Sequence, residues 1–225
     1  MKSDSLLLYA VTDSRLLCAG ETLEQKVLQA IDGGATFVQL REKNADCRGL
    51  LRTATALKKL CAARGIPFVV NDYVETAAAC KADGVHVGQS DVSVGRAREI
   101  LGNSAIVGAS VQTVGQALAA ERAGASYLGV GAVFHTDSKA DAADVPFKTL
   151  REICAAVKIP VVAIGGITAE NIGQLAGSGI AGVAAISAVF AQPDISGAAR
   201  MLRARAEKLF ARRGTRTLTS RETRS

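Results

Sequence analysis

The feature that most limits the fold of this chain is an eightfold alternation of short apolar runs and amphipathic stretches. The runs occupy residues 6–11, 36–40, 67–70, 84–87, 105–108, 127–130, 160–163 and 182–185. Most are continuous in Val, Ile and Leu, the pattern of parallel strands buried on both faces. Between them the period changes. Leu23, Val27, Leu28 and Ile31 share one helical stripe, with Glu24, Gln25 and Gln29 off it. Leu50, Leu51, Ala54, Leu57 and Leu60 make a second, with Arg52, Lys58 and Lys59 outside. The phrases Asp32-Gly33-Gly34-Ala35, Ala82-Asp83-Gly84, Ala123-Gly124-Ala125 and Gly177-Ser178-Gly179 fall between a helix and the next strand, where glycine supplies the left-handed turn that ends a helix. Eight β-α units in 225 residues predict an α/β fold, a single (β/α)8 TIM barrel over residues 1–211. The alternative is an open doubly wound sheet, but no GxGxxG follows Val11.

Charge and composition narrow the function classes. The chain carries +6, but residues 212–225 hold five arginines against one glutamate, so +4 belongs to that basic tail and little to the body. The tail lacks apolar periodicity and is expected to be a disordered, solvated terminus. Truncation after Arg213 should leave activity and solubility near normal in a parallel assay of both forms. A body with no Trp and 4% aromatic residues offers little for base stacking, so no nucleic-acid partner is expected. The apolar run at 6–11 is too short to span a bilayer, so no membrane partner is expected either. Five scattered cysteines without a CxxC pair fit a reduced, cytoplasmic protein. A homo-oligomer is left open.

In a barrel of this kind, chemistry gathers at the C-terminal ends of the strands. Seven of those ends are polar or flexible here: Gln39-Leu40-Arg41-Glu42-Lys43, Asn71-Asp72, the stretch from His86 to Asp91, Ser110, the loop from Gly131 to Lys139, Gly165-Gly166, and Ile186-Ser187. Singly, each has a plain explanation. Arg41 and Lys43 suit a surface loop, Asp72 suits a helix cap, and His86 between Val85 and Val87 suits a hydrogen-bonded structural role. Their joint placement at one mouth argues for a site. Asp72 and Asp91 are a carboxylate pair of the kind that shares Mg2+ with phosphate oxygens and water. Arg41, Lys43 and Lys139 bring positive charge, and Gln39 and Asn71 bring amides. Gly165-Gly166, ahead of a helix expected to start at Ile167-Thr168, and Ser187 provide backbone N–H groups for a phosphate. Catalytic Ser/His/Asp order and P-loop spacing are both missing. Many anion stabilisers and few bases suit a reaction that begins by losing an anion such as diphosphate.

Taken together, Ala10-Val11-Thr12-Asp13, the QLREK run at 39–43, Asn71-Asp72, His86-x-Gly88-Gln89-x-Asp91, the segment 129–139 and Ile164-Gly165-Gly166-Ile167 resemble the thiamine-phosphate synthase family, in order, over roughly residues 6 to 190. The resemblance implies a transferase of thiamine biosynthesis. It would join 4-amino-2-methyl-5-pyrimidinylmethyl diphosphate to 4-methyl-5-(2-phosphooxyethyl)thiazole, giving thiamine phosphate and diphosphate with one Mg2+ per subunit. By similarity, Gln39, Leu40, Arg41, Glu42, Lys43, Asn71, Ser110 and Lys139 hold the pyrimidine diphosphate. Arg41, Lys43, Ser110 and Lys139 among them act in catalysis, and Asp72 and Asp91 ligate the metal. Thr136, Asp137, Ser138, Gly166, Ile186 and Ser187 hold the thiazole phosphate. The loop 131–145 is expected to act as a lid. Two departures stand out: His135 where the family commonly has Pro, and Ser138 for a more usual Thr. The rival within the barrel is a thiazole tautomerase, which carries a His where this chain has Ala132. A silent phosphate-ligand sensor is the rival outside enzymes.

Overall fold

Eight parallel strands pair in chain order and close on themselves in the computed structural model, which describes residues 3–43, 46–136 and 144–210. They are β1 (Leu8–Val11), β2 (Phe37–Leu40), β3 (Phe68–Asn71), β4 (Gly84–Val87), β5 (Ile106–Val111), β6 (Tyr127–Val130), β7 (Val161–Ile164) and β8 (Gly182–Ala185). The last closes on the first through Leu8↔Val183 and Ala10↔Ala185. Strand side chains alternate between two cores, which explains why the runs lack polar alternation. Tyr9, Phe37, Val69, Tyr127, Val162 and Ala184 point into the barrel. Leu8, Val38, Leu40, Val70, Val85, Val107 and Leu128 point out, against the helices. Low in the barrel, Tyr9, Phe37 and Tyr127 meet edge-on, with ring centroids 4.6 to 5.8 Å apart.

The helical layer comprises α1 (Leu23–Asp32), α2 (Cys47–Ala63), α3 (Val74–Ala79), α4 (Val94–Leu101), α5 (Val114–Arg122), α6 (Phe147–Ala156), α7 (Ser187–Phe190) and α8 (Ile195–Phe210). Several helices start on a side-chain cap. Thr22 and Gln25 form a reciprocal capping box on α1, Asp46 accepts from the Gly49 N–H on α2, and Ser93 and Thr113 do the same for α4 and α5. Each cap fixes where a strand-to-helix loop ends, and so fixes the rim of the barrel.

Some expectations change. Leu6 lies in a 3-10 turn (Ser3–Leu6) and plugs the barrel from below. On α2 the buried stripe is Leu50, Ala54, Leu57 and Cys61, and Leu51 is 37% exposed. Helix α1 buries Lys26, whose Nζ donates to the carbonyl of Leu16 at 2.7 Å and pairs with Glu21. Gly84 belongs to β4 instead of a cap. After β7 the chain forms only a 3-10 turn (Ile172–Leu175), so no helix starts at Ile167-Thr168; the Asn171 side chain closes the turn on the Gly166 carbonyl at 2.7 Å. The boundary between residues 211 and 212 and the basic tail beyond it lie outside the described residues.

Candidate active site

The rim of the barrel is built from pairs of neighbouring loops. At the ends of β1 and β2, backbone and side chains interlock. The Arg41 N–H donates to the Thr12 hydroxyl at 3.0 Å, and that hydroxyl donates to Glu42 Oε1 at 3.3 Å, which also accepts from the Ser14 N–H at 3.2 Å. Burial pushes the Glu42 carboxyl above its ordinary value. Asp13 is buried beside them. Its Oδ1 and Oδ2 accept from Arg15 at 2.8 and 2.5 Å, and Arg41 Nη1 lies 3.7 Å away. The Arg15 hydrogen bonds hold the Asp13 carboxyl below the usual carboxylate range. Arg41 is only 4% exposed, and among the described residues its Nε alone is a buried side-chain polar atom without a hydrogen-bond partner. A buried guanidinium on a residue that lines the mouth suits an anion.

Across β3 to β5 the site turns from cationic to acidic and polar. Asp72 follows β3 in the left-handed region, at φ 65°, with its N–H bonded to the His86 carbonyl at 2.8 Å. Helix α3 takes no side-chain cap, so the capping alternative for Asp72 falls. Asp91 Oδ2 accepts from the Gly88 N–H at 2.7 Å. His86 is buried and hydrogen-bonded, as its apolar neighbours suggest: Nδ1 meets the Tyr127 hydroxyl and Nε2 meets the Ser110 hydroxyl, each at 2.9 Å. The Tyr127 hydroxyl also meets that of Tyr9 at 2.7 Å, and the Gln39 amide donates to Tyr9 at 2.5 Å.

These walls enclose one cavity of about 490 Å³. Arg41, Lys43, Asn71, Asp72, Asp91, Ser110, Thr136, Gly166, Ile186 and Ser187 all line it, so the barrel does gather them. The remaining candidates sit elsewhere. Gln39 points inward just below the mouth, where it borders a smaller hollow with Arg41, His86 and Ser110. Leu40 points outward into the helical layer, so only its backbone is near the mouth. Glu42 braces the β1 loop. Asp137, Ser138 and Lys139, with residues 140–143 of the expected lid, lie outside the described residues. Two polar lining residues lie outside the motifs, Arg15 and Gln112, and Gln89, inside one, was given no role. The signal for Arg15 was present, because Thr12-Asp13-Ser14-Arg15 is the polar end of β1, the one strand end left out. Gly165 and Gly166, which also line the cavity, adopt φ of 102° and 62°, values that L side chains rarely take. A Cβ on either would collide with the loop after β6, 2.6 Å from the Ala132 Cα for Gly165 and closer still to the His135 carbonyl oxygen for Gly166.

A closed parallel barrel whose strand-end cavity is lined by a buried arginine, two carboxylates and two adjacent glycines has the form of an enzyme with its active site at the strand ends. The chain belongs to the thiamine monophosphate synthase family, whose model matches residues 8–189. The thiamine-phosphate synthase of Ruminiclostridium cellulolyticum is 47% identical over 195 residues, covering 87% of this chain and 92% of that protein. The thiamine-phosphate synthase of Methanocella arvoryzae is 46% identical over 198 residues, covering 88% and 93%. The solved thiamine phosphate pyrophosphorylase of Pyrococcus furiosus superposes with a TM-score of 0.84 at 40% identity, covering 92% of this chain and 98% of that one. The family places this chain among the transferases. Among the described residues no helix is long and apolar enough to cross a membrane.

Proposed function

We propose that this mouth joins 4-amino-2-methyl-5-pyrimidinylmethyl diphosphate to 4-methyl-5-(2-phosphooxyethyl)thiazole by a dissociative route. The CH2–O bond breaks first, and its electron pair leaves with the diphosphate. The 4-amino group of the pyrimidine stabilises the resulting cation, and the thiazole nitrogen closes the new C–N bond with its own lone pair. No protein base has to make the nucleophile, in keeping with a mouth that is rich in anion stabilisers. The observation that supports this reading is the buried guanidinium of Arg41, a residue that lines the cavity and lies 3.7 Å from Asp13.

Arg41, Lys43, Asn71 and Ser110 would bind the diphosphate, with Lys139 from the loop and Gln39 on the pyrimidine side. Thr136, Gly166, Ile186 and Ser187, with Asp137 and Ser138, would hold the thiazole phosphate. Holding both substrates in contact accounts for several kcal/mol of the barrier, on the order of 7 at least for well-oriented pairs. Shielding the cation from water is the other task of a closed mouth.

The donor set suits Mg2+. Among the described residues no cluster of three or more His, Cys, Asp or Glu could hold a metal. That leaves the two mouth carboxylates, Asp72 and Asp91, and Mg2+ favours one or two carboxylates completed by phosphate oxygens and water. When bound, the ion supplies positive charge that stabilises the leaving diphosphate. Asp91→Asn is expected to raise the Mg2+ concentration for half-maximal rate by at least about tenfold, with thiazole-phosphate binding almost intact. An unchanged Mg2+ response overturns the metal assignment. Ala132, buried at the mouth, offers no imidazole for the tautomerase alternative. The deciding experiment is diphosphate release with both substrates and Mg2+, each omitted in turn. Tight binding without release would favour the sensor.

A further inference from the structure

Beneath the cavity a five-member hydrogen-bond chain crosses the barrel from Gln39 on β2, through Tyr9 on β1, Tyr127 on β6 and His86 on β4, to Ser110 on β5. It is more than a way of satisfying buried polar atoms, because it has a direction. We propose that Tyr9, Tyr127 and His86 are positioning residues: the chain that begins at the Gln39 amide fixes the proton of His86 on Nε2 and thereby turns the Ser110 hydroxyl hydrogen toward the departing diphosphate. This rests on the functional reading above, in which Ser110 meets that group.

The direction follows from counting hydrogens. An amide nitrogen only donates, so the Gln39 Nε2 hydrogen occupies the Tyr9 oxygen at 2.5 Å. Tyr9 must then spend its own hydrogen elsewhere, and the Tyr127 oxygen stands 2.7 Å away. The Tyr127 hydrogen in turn goes to His86 Nδ1 at 2.9 Å. A nitrogen that accepts carries no proton, so the neutral ring keeps its hydrogen on Nε2. That hydrogen faces the Ser110 oxygen at 2.9 Å, which accepts it. The Ser110 hydrogen is left for the cavity that Ser110 lines. The opposite order would set the Tyr9 hydrogen against the amide hydrogens. It would also fold the Ser110 hydrogen onto the ring and present only lone pairs to an anion.

Both phenols keep their hydrogens, since burial pushes each hydroxyl well above its ordinary value. The architecture is specific. His86 and Tyr127 both pair with Gly108 of the strand between them, and a Cβ there would stand 2.5 Å from His86 Nδ1 and closer still to the Tyr127 ring. The two side chains touch only because that strand is bare at this point. A donor oriented before the substrate arrives costs no reorganisation when charge develops.

Two measurements test the proposal. The chain has two histidines, so ring-nitrogen NMR of the 15N-labelled protein, with His135→Asn for assignment, reads the His86 tautomer directly. We expect a protonated Nε2 and an unprotonated Nδ1; a protonated Nδ1 overturns the proposal whatever the enzyme does. The second is a cycle between Tyr127→Phe and Ser110→Ala. Tyr127→Phe should lower kcat about tenfold with the KM for thiazole phosphate unchanged. On Ser110→Ala it should add less than about twofold, because coupled residues are not additive. An equal loss in both backgrounds overturns the proposal and leaves the chain a structural feature. Should Tyr127→Phe fail to fold, Tyr9→Phe breaks the same chain one link earlier, with the same two readouts. Full turnover in Ser110→Ala instead removes the assignment of Ser110 to the diphosphate, which separates a failure of the functional reading from a failure of the relay.

Discussion

Arg41→Gln is expected to lower kcat/KM for the pyrimidine diphosphate by about a thousandfold, at the upper end of what one preorganised anion donor supplies. The expectation comes from how the side chain is held. Its guanidinium is buried, one nitrogen lies 3.7 Å from Asp13, and Nε has no protein partner to lose. Glutamine keeps part of the volume and an amide donor but removes the charge. Asp13 stays satisfied in the variant, because Arg15 bonds both of its oxygens. The fold should therefore survive, and the loss should fall on the leaving-group half of the reaction. Equilibrium binding of the thiazole phosphate, measured by calorimetry, should be unchanged. A rate within tenfold of the unaltered enzyme would remove Arg41 from the centre of the mechanism.

The second large effect is on stability. Gly108→Ala should destabilise the chain by about 3 kcal/mol, at the upper end of typical overpacking costs. For a protein of this size that corresponds to a fall in Tm of roughly 6 to 12 °C. The added methyl has nowhere to go, since the His86 and Tyr127 side chains close on it from neighbouring strands and both are buried. The hydrogen bond between them must break or lengthen, so turnover should fall with stability. Gly95→Ala is the control. Gly95 lies in α4, where an added Cβ would meet no atom within 4 Å, and alanine is the better helix former by roughly 0.5–1 kcal/mol. Equal melting temperatures for the two variants would refute the packing argument.

The alternation of apolar runs and amphipathic stretches was enough to locate all eight strands. The runs at 84–87, 127–130 and 182–185 coincide with β4, β6 and β8. β1, β2, β3, β5 and β7 start one or two residues later than the runs, β7 ends one residue later at Ile164, and two strands continue into polar residues. β5 runs on to Val111 and β3 to Asn71, because Ser110 and Asn71 face the mouth, where a polar side chain does not end a strand. The helix expected after β7 failed for a local reason: the Asn171 side chain closes a tight turn on the Gly166 carbonyl. Leu51 and Lys26 show the limit of a stripe drawn from hydropathy alone. An apolar residue at the edge of a helical face can stay exposed, and a lysine can be buried once carbonyls and a glutamate receive its ammonium group.

The layered ring and the loops that carry its chemistry were thus legible in the order of residues, since period and strand-end polarity are local properties of the chain. That order could not say which of those groups serve the mouth and which serve one another. Glu42 braces a loop, Leu40 faces the helices, and Arg15 joins the cavity wall only because β1 and β2 lie side by side. The line from Gln39 to Ser110 exists only in the folded barrel. Its members come from five strands, and closing the ring brings residues as far apart in sequence as Tyr9 and Tyr127 within hydrogen-bonding distance.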